Sequence, residues 1–178
     1  MQNLKVSYIN SLNELIKSSK CRHIIDKATE EATYGMSAEE FLSHFKPTIR
    51  FGASIGKAIG DKIGLKSKTG KILTISTYYL YVLLAVLCAL AKQGFQIIEA
   101  NETEHPKTCF LIAQIPSSPL TWEGQIYISI LQQEKQHTIT ASVTFPGQLF
   151  AWGRGSRIIK RLFEDTDKHV KDFEAEAL

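Results

Sequence analysis

The sequence predicts an α+β protein in which N-terminal helices precede a β-α-β-β-β-β-α unit, its mainly antiparallel sheet gripped by a long C-terminal helix. Three observations predict this. An uncharged stretch at 72–91 changes part-way from β-branched residues to leucine and alanine. Residues 122–145 hold two runs that alternate apolar and polar. The chain then closes on apolar residues at helical spacing. A chain of 178 residues with 44% hydrophobic and 22% charged residues has enough apolar material for a core. The expected division is a helical extension over residues 1–70 packing on a main domain at 71–178.

In chain order, Leu4, Tyr8, Leu12, Leu15 and Ile16 fall on one helical stripe, which predicts a helix over 4–19 with Asn3 as its N-cap. Ser37 and Glu40 have capping-box spacing and open a short helix through Phe41, Leu42 and Phe45 that ends near Pro47. Gly52, Gly56, Gly60 and Gly64 then recur every four residues, with Ile55, Ile59 and Ile63 beside them. As a helix this row is a glycine-zipper contact face, where small residues allow backbones to approach. As a chain rich in glycine it is a connector.

Lys71 and Lys92 bracket the uncharged stretch. Its length permits a membrane span. The change from ILTIST to LYVLLAVLCALA, with Gly94 as a stop, reads instead as a strand followed by a helix. That helix is apolar all round and must be covered on every side. The glycine–isoleucine segment is the expected cover. GFQIIEA follows as a strand, NETEHPK as a turn and CFLIAQI as a second strand. In the next two strands Trp122, Ile126, Ile128 and Ile130, then Ile139, Ala141, Val143 and Phe145, share one face, while Thr138, Thr140, Ser142 and Thr144 take the other. QQEKQH is their hairpin loop. Leu149, Trp152, Ile159, Leu162, Phe163, Val170 and Phe173 trace the closing helix.

Charge is uneven along the chain although the net is only +3. Lys46, Arg50, Lys57, Lys62, Lys66, Lys68 and Lys71 accompany one acid, Asp61, whereas acids dominate from Glu164 to the end. The polar sheet face carries neither a basic surface nor interleaved aromatics, and no recognition-helix signature occurs, so nucleic acid is not an expected partner. Cys21, Cys88 and Cys109 are odd in number and widely spaced, which implies no disulfide framework. The N-terminus does not read as a secretory leader, and a cytoplasmic setting is expected.

TWEGQIYISI and QLFAWGRGSRIIKRL carry a loose resemblance of residues 72–165 to small uncharacterised bacterial domains with a helix-grip-like arrangement. The resemblance covers about half of the chain, leaves out the first 70 residues, and brings no catalytic residue with it.

The histidines lie in separate elements with no paired-ligand spacing, and neither a nucleophile elbow, a Walker loop nor a dinucleotide fingerprint occurs. No catalytic residue, cofactor or metal site is assigned. Gly153, Arg154, Gly155 and Arg157 head the last helix and form a candidate anion site, because unpaired N–H groups point there. The alternative is a glycine pair that lets the helix cross the sheet closely. The leading functional expectation is a non-enzymatic binding protein that holds an apolar small molecule or a protein partner between sheet and last helix. Trp122, Ile126, Ile128, Val143, Phe145, Trp152 and Ile159 would line that cleft. The alternative is membrane association through the basic segment 52–64 and the apolar segment 72–91.

Overall fold

Every residue from Tyr79 to Ala91 is buried, none more than 8% exposed, so the rest of the architecture is arranged as a cover for this helix. The computed structural model describes residues 11–32, 37–42, 70–104, 106–117, 123–134, 136–146 and 153–177. Asn3, Leu4, Tyr8, Phe45, the glycine row Gly52, Gly56, Gly60 and Gly64, Trp122, Leu149 and Trp152 lie outside the described residues.

In chain order the elements are α1 (Leu12–Lys17), α2 (Ser19–Glu30), α3 (Ala38–Leu42), β1 (Gly70–Ile75), α4 (Tyr79–Lys92), β2 (Gln96–Glu104), β3 (Lys107–Ile115), β4 (Gly124–Gln132), β5 (His137–Thr144) and α5 (Arg154–Ala177). From β1 onward this is the β-α-β-β-β-β-α order read in the sequence. The five strands form one antiparallel sheet in the order β1-β5-β4-β3-β2. The first strand is thus paired to the last.

A single helix over 4–19 does not form. Ser11 is extended and caps α1 through a bond from the Glu14 N–H. Ser18 is extended again and caps α2. A serine side chain that satisfies an orphan N–H favours a helix start over helix continuation. The capping box is present: the Glu40 N–H donates to Ser37 Oγ at 3.1 Å and the Ser37 N–H to Glu40 Oε2 at 3.0 Å.

α2 and α5 pack along α4, with α1 against it as well. Among the described residues the cover expected from the glycine–isoleucine segment is therefore supplied by these helices and the inner sheet face. Leu15, Ile25, Phe41, Leu84, Leu87, Leu111, Ile128 and Leu162 belong to one continuous core. Lys92 joins the ends of α4 and α2 to the middle of α5, with Nζ 3.1 Å from Glu31 and 3.1 Å from Asp165. Gly94, at φ +68°, ends α4 as expected. The Phe95 N–H returns to the Leu90 carbonyl at 3.0 Å, which a left-handed residue at this place allows. No helix among the described residues is long and apolar enough to cross a membrane.

Two boundaries differ from the sequence reading. The polar run after Ala100 is not a turn: Asn101 to Glu104 continue β2, paired with Lys107 to Phe110. An outermost strand faces the interior on few positions and so carries polar residues readily. The last helix begins at Arg154, not near Leu149, because Gly153 sits at φ +73° and breaks helical continuity.

Candidate functional site

Among the described residues, the side chains expected to line an apolar cleft are packing atoms. Ile126, Ile128 and Ile159 are fully buried, Val143 is nearly so, and Phe145 packs on the same core. Alternation correctly placed them on the inner face, but α4 and α5 fill the space in front of it. A cavity of about 540 Å3 lies at the far end of the sheet, lined by Gln114, Glu123, Gly124, Gln125 and Pro146, and none of the described cleft residues is among them.

The head of α5 is occupied by its own contacts. Arg154 donates to the Pro116 carbonyl at 3.3 Å and lies over the Phe145 ring, 5.1 Å from its centre. Burial and then the neighbouring Arg157 push its guanidinium down from the ordinary value. The Arg157 N–H bonds to the Gly153 carbonyl at 3.1 Å, and its side chain is exposed, whereas Gly155 is buried. The arrangement ties α5 to the loop after β3.

At the opposite end of the sheet the sequence reading missed a cluster of polar groups. Tyr79, His137 and Cys109 are buried there beside the half-buried Glu102. Glu102 Oε2 accepts the Leu12 N–H at 2.9 Å, which ties β2 to α1. Burial pushes the Glu102 carboxyl up, with the Leu12 N–H opposing, and pushes the Tyr79 hydroxyl and the Cys109 thiol up as well. Lys107 Nζ stands 5.2 Å from the centre of the Tyr79 ring. Among the described residues no group of His, Cys, Asp and Glu could hold a metal ion. No signal in the linear sequence brings these residues together, since Tyr79 opens α4 and the other three come from three different strands.

The remaining unusual surface is the sheet's edge. A sheet has two outermost strands, whose outward N–H and C=O groups invite further pairing unless they are obstructed. β2 is obstructed in three ways. It has a bulge between Ile97 and Glu99; it carries Glu99, Glu102 and Glu104; and α3 abuts it, with Gln96 Nε2 donating to the Glu40 carbonyl at 3.4 Å. Among the described residues β1 carries no bulge and no acidic side chain, although α5 makes contact with it. It reads GKILTI, is regular against β5 over all six residues, and contains one charge, Lys71.

β1 is held from inside by the half-buried Leu73 and the buried Ile75, which face the core. Ile72 pairs with Thr140 on the outer face and is 68% exposed. Just beyond the strand Tyr78 is 74% exposed and meets the Tyr81 ring edge-to-face at 5.7 Å. These are the two most exposed large apolar side chains among the described residues. An isolated exposed isoleucine is ordinary, but one on a regular outermost strand beside an exposed tyrosine is the composition of a contact surface.

The chain matches no protein-family model, no curated protein and no solved structure. The sheet edge and its neighbours therefore carry the functional reading by their own geometry.

Proposed function

We propose that this is a non-enzymatic interaction protein that takes up an extended protein segment by strand addition along β1. The observation that carries the reading is the contrast between the two edges: β2 is bulged, acidic and flanked by a helix, while β1 is regular, nearly uncharged and exposed. Strand addition draws affinity from main-chain bonds and specificity from alternate side chains. Ile72 is the side chain that an added strand would meet on the outer face. A small apolar ligand between sheet and α5 has less support, since Ile126, Ile128 and Ile159 are already fully enclosed. The helix-grip likeness of residues 72–165 remains part of the proposal, supported by the order of elements. A cytoplasmic setting is likewise proposed, supported by three buried cysteines that are all free thiols.

Selection of a displayed random-peptide library on the purified protein tests the reading. The expected binders are extended, slow amide exchange at residues 70–75, and lose affinity to Ile72→Lys. Binders that leave those amides unprotected, or no binders at all, would overturn it.

A further inference from the structure

We infer that the segment taken up by β1 is β1 of a second copy of this chain, joined around a two-fold axis into a continuous ten-stranded sheet. This rests on the strand-addition reading above and names its partner.

Directly opposed residues of an antiparallel pair point to the same face, so Ile72 can face Gly70, itself or Thr74, and Lys71 can face itself, Leu73 or Ile75. A pair centred on Leu73 sets Ile72 against Thr74 and gives up the apolar match on the outer face. A pair centred on Lys71 sets lysine against lysine, which is unfavourable. A pair centred on Ile72 sets the two isoleucines against one another and Lys71 opposite Leu73 of the partner subunit. That register covers the exposed large apolar residue of the strand and keeps the cations apart. β-branched pairs at such positions are favourable.

Charge selects the same arrangement. Lys71 lies in the N-terminal half of β1. Beyond the C-terminal end stand Tyr78 and Tyr81, and Glu174 of α5 is near enough to Tyr81 to act on its hydroxyl. Phe173 lies 6.1 Å from the Tyr81 ring, which fixes that acidic end of α5 beside the strand. Antiparallel pairing brings the basic end of one β1 alongside the acidic end of the other. Two-fold symmetry makes this complementarity occur twice. A six-residue ladder is a small interface, so the dimer is expected to be reversible and concentration-dependent.

The cysteines provide a clean test. Cys21, Cys88 and Cys109 are buried, and burial raises each thiol, so an added surface thiol reacts without background. In the Ile72-centred register the opposed Cα atoms fall within disulfide range. Ile72→Cys is expected to give a covalent dimer under mild oxidation, whereas Ile98→Cys, at the β2 bulge, stays monomeric. Sedimentation of the wild type should rise with concentration from 20.0 kDa toward twice that mass, and Ile72→Lys, whose circular dichroism should match wild type at so exposed a position, should lose the rise. A wild type that stays monomeric while selected peptides still protect residues 70–75 would overturn the self-pairing and leave strand addition standing. A dimer that persists in Ile72→Lys, equal cross-linking through Ile98→Cys, or β1 amides equally protected in dilute and concentrated protein would overturn it too.

Discussion

Nε2 of His137 donates to the carbonyl oxygen of Thr77 at 2.7 Å, which fixes the first residue of β5 to the turn between β1 and α4. A carbonyl only accepts, so Nε2 carries the hydrogen and Nδ1 is left as a buried lone pair without a partner. The Tyr79 ring closes the site from the side at 5.5 Å. Burial therefore holds the imidazole below its ordinary value of 6.5, with the bond to Thr77 opposing.

Stability should consequently fall in mild acid. The unfolded chain accepts the proton first, so the contribution of His137 is complete above 6.5 and is lost as pH drops through that value toward the lower folded one. His169 is lowered in the same direction. Glu102 acts in the opposite sense: its folded value is raised, so it favours the fold in acid and loses that contribution as pH rises from 4.5. Urea midpoints at about pH 7.5 and about pH 5.5 should show a larger drop for wild type than for His137→Gln. An equal drop would remove His137 as the cause.

Gly124→Ala should destabilise the fold by about 1–3 kcal/mol. A Cβ there would lie 2.5 Å from the Phe145 ring and 2.9 Å from the Thr144 carbonyl. The ring could turn aside only by disturbing its stack with Arg154. Thermal unfolding with Gly153→Ala as a comparison separates crowding from strain, since nothing lies near the latter's added carbon although its φ is +73°.

Leu87→Ala should cost about 2–5 kcal/mol, because the side chain is fully buried on a helix along which α2 and α5 pack, and packed helices do not collapse freely into a gap. Equilibrium urea unfolding measures it. A loss below about 1 kcal/mol would mean that the covering helices are loosely packed.

Ser37→Ala should cost about 1 kcal/mol by removing the acceptor for the Glu40 N–H. Faster exchange of the α3 amides would accompany it, with the sheet amides unchanged.

Much of the fold was legible in the sequence because its determinants are local. Ser37 and Glu40 lie three residues apart and bond each other directly. The change of composition at Thr77 separates β1 from α4, and alternation assigns Ile126 and Val143 to the inner face. α2 escaped notice because most of its residues are polar, and its buried side chains, Cys21, Ile25, Ala28 and Thr29, are mostly small although they share one face.

The candidate site was not legible, for the reason that strand order is non-local. Nothing within GKILTI states that its partner is β5 or that no other described strand pairs with it. Likewise, alternation identifies which side chains face inward, but whether Ile126 and Ile159 leave a cleft or fill it depends on how closely two distant segments approach.

The pairing of Ile72 with Thr140 makes β1 dependent on residues synthesised long after it. On the ribosome the earliest strand emerges with its ladder unmade, and α4 follows without the helix that seals it, until β5 and α5 have left the exit tunnel. Assembly of the sheet should therefore be a late and slow event governed by distant closure. Nascent chains that stop short of α5 should be the ones that engage chaperones.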